Sequence, residues 1–175
     1  TITPATILTG LASGNVTIQT SSGSGGNGDI TVANSISTTA DLGATRTLTL
    51  KADRNILFSS SVDIDATTGG NTRALNVVLH ADADNNEVGG IQLATGADIY
   101  SNGGNITMGG GSDPASDYAV GTSSTASVGV DLGGIVTHTI NAAGGNNSFY
   151  GKGGTTGGQS RCGDANGCNK GIDTV

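Results

Sequence analysis

The sequence predicts a nearly all-β fold, a parallel β-helix (β-solenoid) in which residues 1–175 form a single segment of a longer protein. Three observations carry that expectation. Gly and Asn are abundant while strong helix formers are scarce; a short apolar-Thr-apolar phrase recurs behind Gly and Asn or Asp; and shorter apolar signals recur between its copies.

Composition bounds the class first. Gly is 31 of 175 residues, aromatics are 3%, charged residues 12%, and Trp is absent. Average soluble domains carry roughly 25% charged residues and about 7% Gly. Low charge argues against ordinary disorder, and the regular spacing of Val, Ile and Leu argues against a flexible Gly/Ser linker. There are 13 Asp against one Glu, Glu87, and three Lys: Lys51, Lys152 and Lys170. Helix is therefore disfavoured, whereas Thr, Ser, Asn and Gly suit strands and tight turns.

The repeated phrase reads Gly14-Asn15-Val16-Thr17-Ile18, then Gly28-Asp29-Ile30-Thr31-Val32, then Gly104-Asn105-Ile106-Thr107-Met108. Looser copies stand at 47–50, 55–58, 90–93 and 134–137, with a degraded one at 145–149. Each alternates apolar and polar residues, so one face of a short strand points inward. The expected core includes Val16, Ile18, Ile30, Val32, Leu48, Leu50, Ile106 and Met108. The Gly and Asn before each strand tolerate positive φ and predict sharp corners there. A second, shorter strand signal follows at Ser35-Ile36, Val62-Asp63-Ile64 and Ala97-Asp98-Ile99.

Short strands separated by Gly/Asn corners, with copies that resemble one another, favour stacked coils over a sandwich of hairpins. At roughly 20 residues per coil the chain would make about eight or nine coils. The rod would then be on the order of 40 Å long. Two stretches break the pattern: 118–130 is expected to be an irregular loop, and 152–169 a loop closed by a cysteine pair. The opening Thr1-Ile2-Thr3-Pro4 reads as internal to a longer chain, with uncapped coils at both ends. Such open edges would allow lateral or end-to-end self-association.

Several residues are candidates for chemistry. Asp82, Asp84, Asn86 and Glu87 place hard oxygen ligands on one turn, a candidate Ca²⁺ site. The competing reading, which the residues favour, is an Asx-rich corner bonding its own backbone. Cys162 and Cys168 suit a disulfide across a short Gly-rich loop, in an oxidising setting; a reduced pair and half a metal site are the alternatives. His80 is expected to face solvent on the side of Asp82, and His138 to be a partly buried structural residue. Asn15, Asn105 and Asn146 open glycosylation sequons, and each also sits where a corner wants an Asn.

The net charge of −7 is spread along the chain with no basic stripe, which disfavours a nucleic-acid partner. No apolar run approaches the ~20 residues that cross a bilayer, so no membrane insertion is expected. β-Helices include polysaccharide lyases and glycoside hydrolases, but those need carboxylates and basic residues converging on one sheet, and here seven Lys and Arg are scattered singly. Ice binding needs flat, regular Thr ladders, whereas Thr47/Thr49 and Thr137/Thr139 recur at uneven intervals; the enzyme and ice-binding readings stand as the alternatives, and the sequence excludes neither.

Thr47-Leu-Thr-Leu-Lys-Ala-Asp-Arg-Asn-Ile56, Val78-Leu-His-Ala-Asp-Ala-Asp-Asn-Asn-Glu87 and Gly103-Gly-Asn-Ile-Thr-Met-Gly-Gly-Gly111 resemble the filamentous haemagglutinin-type exoproteins of bacterial two-partner secretion. The resemblance covers residues 14–154 and rests on repeat style. It implies a right-handed parallel β-helix, an extracellular place at the bacterial cell surface, and a role in adhesion, biofilm or matrix without catalysis. The implied partners are host or neighbouring-cell surfaces, glycans or matrix components. The family's N-terminal secretion motifs are not found in this segment.

Overall fold

Thr3 and Pro4 start a helix that the composition argued against. Thr3 is extended, its Oγ1 accepts the Thr6 N–H at 3.2 Å, and Pro4 opens the helix, where a missing N–H costs nothing. In the computed structural model, which describes residues 1–20, 27–121, 128–133 and 137–153, this helix is α1, Pro4–Ser13. Ile7 and Leu11, one helical turn apart, are its buried residues and join the core. Arg46 reaches across to the helix C-terminus, donating to the Leu11 and Ala12 carbonyls at 2.9 and 3.3 Å. The expectation of an uncapped coil at this end is corrected: Thr-Pro followed by an i, i+4 apolar pair makes a helix that packs on the first strands.

The remaining elements are short strands. Sheet A stacks β1 (Val16–Gln19), β4 (Arg46–Lys51), β7 (Leu75–His80), β10 (Ile106–Gly109) and β14 (Asn147–Phe149) in that order. Sheet B stacks β2 (Ile30–Val32), β5 (Ile56–Phe58), β8 (Ile91–Leu93) and β12 (Val130–Leu132). Sheet C stacks β3 (Ile36–Ser37), β6 (Ile64–Asp65), β9 (Ile99–Tyr100) and β13 (Ile140–Asn141). A fourth, two-stranded pair joins β11 (Ala119–Val120) to β15 (Gly151–Lys152). Every ladder between these strands is parallel. The chain visits A, B and C in turn and returns to A one strand further on, an order compatible with a β-solenoid and not with antiparallel hairpins.

Rung length differs from the expectation. Val16 pairs with Leu48, Leu48 with Val77, Val77 with Ile106 and Ile106 with Asn147, steps of 32, 29, 29 and 41 residues. The described residues therefore make four circuits and begin a fifth, and sheet A is about 19 Å across at ~4.8 Å per strand. The phrases at 14–18 and 28–32 belong to two faces of one rung rather than to successive rungs, which halves the count. The shorter signals at Ile36, Ile64 and Ile99 mark the third face. In the fourth rung, sheet B uses Val130–Leu132, at the margin of the stretch expected to be irregular. Residues 134–136 of the anticipated copy lie outside the described residues.

The inward positions align into columns. On sheet A, Leu48, Val77 and Ile106 form one column and Leu50, Leu79 and Met108 another, all at most 2% exposed. Ile56 and Ile91 fill sheet B, Ile64 and Ile99 fill sheet C, each fully buried. Each such side chain contributes on the order of 1.5–3 kcal/mol by leaving water. Val16, Ile18 and Ile30 are only half-buried because the first rung has another rung on one side alone, and α1 covers its other side only in part, whereas Val32 and Ile36 are buried.

Between the faces, polar side chains tie each rung to the next. Before sheet A, Asn15 Oδ1 accepts the Thr47 N–H, Asn76 Oδ1 the Asn105 N–H and Asn105 Oδ1 the Asn146 N–H, each at 2.9 Å. Before sheet B, Asp29 accepts from Asn55 N and Asn55 from Gly90 N. Before sheet C, Ser35 accepts from Asp63 N, Asp63 from Asp98 N and Asp98 from Thr139 N. Asn15 and Asn105 thus serve as inter-rung acceptors and are not among the positive-φ residues, correcting the reason expected for them. Gly28 does take φ +77°, whereas Gly104 is required for space: a Cβ there would overlap the Leu75 carbonyl.

Candidate functional site

The turn from sheet A to sheet B differs in length from rung to rung: it spans residues 20–29 in the first rung, 52–55 in the second and 81–90 in the third, while in the fourth residues 110–118 lead from β10 into β11. The last two loops lie together: Gly89 and Val120 exchange backbone hydrogen bonds at 2.9 and 2.8 Å. Loops raised on a rigid scaffold are where binding surfaces concentrate, so this ridge is the candidate site.

Each loop is built around a carboxylate. Asp82, 1% exposed and at φ +49°, accepts the N–H groups of Asn86 and Val88 at 3.0 and 3.3 Å. Burial pushes its carboxyl above the usual range, outweighing those hydrogen bonds. Asp84 accepts the Asn86 side-chain amide at 2.8 Å, and Glu87, at φ +64°, is exposed. In the fourth rung Asp117 Oδ2 accepts the N–H groups of Ser112 and Asp113 at 3.0 Å, and Asp113 accepts from Ala115 N. The sequence places Asp82, Asp84, Asn86 and Glu87 on one turn, and the geometry there is that of an Asx-rich corner. Among the described residues, no three His, Cys, Asp or Glu side chains gather as a metal-binding set.

His80 departs from its expected exposure. Leu75, Val77 and Leu79 do point inward, leaving His80 on the outer side, but the 110–118 loop folds over it. His80 is 6% exposed and its Nε2 donates to the Gly111 carbonyl at 2.7 Å. His138 is half-buried as expected, with its ring nitrogens 2.8 Å from the Ala97 and Gly133 carbonyls. Cys162 and Cys168 lie outside the described residues, as do 154–169 of the loop expected at 152–169.

Beside the ridge, in the second rung, Arg54 forms a two-pronged ion pair with Asp29, at 2.7 and 2.6 Å. Burial raises the Asp29 carboxyl, but the hydrogen bonds from Arg54 and Asn55 prevail and leave it below its ordinary value. A notch of about 120 Å³ separates Arg54 and Asp53 from Asp84 and Asn86 of the ridge. Larger hollows of about 550 and 370 Å³ flank α1, one beside Ser37 and Asp41, the other beside Ile18, Ile30 and Ile36.

The residues the sequence reading passed over are Tyr118 and Tyr150. Their rings meet edge to face, centroids 6.5 Å apart and planes at 72°. Ala119 pairs with Gly151, so the tyrosines precede matched positions in adjacent rungs. Tyr-x-x-Gly occurs at all three tyrosines, at 100–103, 118–121 and 150–153, and lacks the apolar-Thr-apolar core, so nothing in the local pattern singles out this pair.

No protein-family profile, curated protein or solved structure matches the chain.

Proposed function

We propose that the chain is a rod segment of a secreted bacterial surface protein of the filamentous haemagglutinin type, a right-handed parallel β-helix serving adhesion, biofilm or matrix rather than catalysis. The observation that carries this reading is the in-register stacking of sheets A, B and C, in which each rung pairs only with its neighbours. Such a stack gains length rung by rung at constant cost per rung, the property a surface appendage needs. The use of Asp82, Asp113 and Asp117 as acceptors for loop N–H groups also favours it, since these carboxylates hold backbone in place. The test incubates the chain with a panel of polysaccharides and, separately, with cells and matrix. Binding without new reducing or unsaturated ends supports the reading. Sustained product release, lost on substituting one ridge carboxylate, would establish a β-helix lyase or glycoside hydrolase instead.

A second reading, ice binding, is favoured by one specific alignment. Thr17, Thr49, Val78, Thr107 and Ser148 stand in one outward column of sheet A, although their sequence intervals are uneven. Unequal corner loops absorb the difference in spacing, so the face is more regular than the sequence suggests. Thermal hysteresis, abolished by Thr49→Lys with the fold intact, would favour this reading; freezing behaviour equal to that of a control protein would end it.

A further inference from the structure

We propose that Tyr118 and Tyr150 form a stacking platform for a neutral pyranose glycan, at the edge of the ridge between sheets A and B. The proposal rests on the adhesive reading and names the ligand class of its surface. The chain has five aromatic residues, and the other three are committed elsewhere. Phe58 is core, Phe149 packs against the core, and the Tyr100 hydroxyl donates to Asp98 at 3.1 Å. The remaining two meet at the surface, where Tyr118 stays 55% exposed.

An aromatic ring held edge to face by a second ring is oriented without being covered. The backbone holds both: Ala119 N donates to the Tyr150 carbonyl at 2.9 Å, and Gly110 N to the Asp117 carbonyl at 3.1 Å. An exposed ring of fixed orientation matches the apolar C–H face of a pyranose. Sugar hydroxyls donate and accept around that face, and polar groups of the two ridge loops stand near the ring: Ser116 and Asp117 precede Tyr118, with Ser116 Oγ and Asp117 Oδ2 also bonded within their own loop, and Asn85 Oδ1 approaches Gly111 alongside Asp117.

Charge selects within the glycans. Asp84, Glu87, Asp113 and Asp117 stand on the two ridge loops, against one cation near the rings among the described residues, the exposed Lys152 paired with Val120, so the local balance is acidic and uronic or sialic acid residues are disfavoured. A protein partner fits less well. Among the described residues, the exposed large hydrophobics are Ile2, Val88 and Tyr118, which is too sparse for the apolar centre of a protein interface.

The chain lacks Trp and has three Tyr, so ring signals of individual tyrosines are readable. Chitohexaose, cellohexaose and a polygalacturonate oligomer are titrated into the chain by calorimetry and by NMR of the tyrosine rings. A neutral hexaose is expected to bind and shift the Tyr118 and Tyr150 signals, with the acidic oligomer weaker. Tyr118→Ala should lose about ten-fold in affinity or more while melting with the wild type, and Tyr118→Phe should retain binding. Equal affinity for Tyr118→Ala and wild type would overturn the platform while leaving an adhesive rod intact. No binding by any of the three overturns the platform too. Adhesion of the same preparation to cells, measured in parallel, then decides the broader reading on its own. Adhesion that survives enzymatic removal of glycans, yet is lost in Tyr118→Ala, would identify a protein partner and overturn the proposal.

Discussion

Asn76 holds the next rung by its backbone: its Oδ1 accepts the N–H of Asn105 at 2.9 Å, while its amide reaches Thr47 Oγ1 of the rung before at 3.4 Å. The acceptor half of this arrangement recurs at each of the three faces, so these side chains set the register between rungs as the apolar columns do from within. Asn76→Ala removes the acceptor of an exposed N–H that water can then reach, at a cost of about 0.5–1 kcal/mol. Asn76→Asp keeps the acceptor and should recover most of the loss. Urea unfolding of the three proteins checks this. Equal midpoints for Asn76→Ala and wild type would show the ladder to be incidental.

Two corner glycines make a paired prediction. Gly104 carries no positive φ, so its requirement is purely one of space against the Leu75 backbone, which cannot rotate away. Gly104→Ala should cost ~3 kcal/mol or more. Gly14, at φ −176° with open surroundings, should accept Ala within about 0.5 kcal/mol. Thermal melts of the two variants separate the cases, and equal melting temperatures would contradict the close rung contact at Gly104.

Asp82 gives stability a pH dependence of definite sign. Its carboxyl is raised in the folded chain by burial, so the folded state holds that proton to higher pH than the unfolded state. This contribution to stability is fully present below the ordinary aspartate value and is lost as pH rises through the folded value. At neutral pH the buried charge is therefore a burden. Asp82→Asn keeps an acceptor for Asn86 and Val88, tolerates the positive φ, and removes the charge. It should stabilise the chain at pH 7 on the order of 1 kcal/mol. The difference from wild type should vanish in acid, where Asp82 is protonated. A lower melting temperature for Asp82→Asn at pH 7 would show that the carboxylate is needed as such.

Much of this architecture is legible in local pattern, and what is missed depends on distance. Ile106-Thr107-Met108 and Leu48-Thr49-Leu50 declare an inner and an outer face by alternation alone, and the structure buries their apolar members. The number of faces per rung is not local information. Two faces share one phrase, so Val16 and Ile30 look like successive rungs until Val16 is seen to pair with Leu48. His80 fails for the same reason: its own strand turns it outward, and a loop 31 residues further on buries it. The helix was available in Thr3-Pro4 with Ile7 and Leu11, but a chain-wide scarcity of helix formers outweighed a ten-residue exception.

Leu11 tests whether stability in this stack is a neighbour-to-neighbour property. It is fully buried on the inner side of α1, with Arg46 of the second rung donating to its carbonyl, and its helix packs on the strands of the first rung. Leu11→Ala removes that contact and leaves a cavity, a loss of about 2–4 kcal/mol where the surroundings do not collapse. In a globular core such a loss would lower the protection of every core amide together. In a stack whose rungs touch only adjacent rungs, it should be felt where the helix sits and fade along the axis. The Thr20 amide, bonded to the Lys51 carbonyl between the first two rungs, should exchange faster. The Ala81 amide, bonded to the Gly109 carbonyl between the third and fourth rungs, should be unchanged. Native-state hydrogen exchange reads both positions in one experiment. Equal acceleration at Thr20 and Ala81 would mean that the rungs unfold as one cooperative unit, and the neighbour-limited picture of the rod would have to be abandoned.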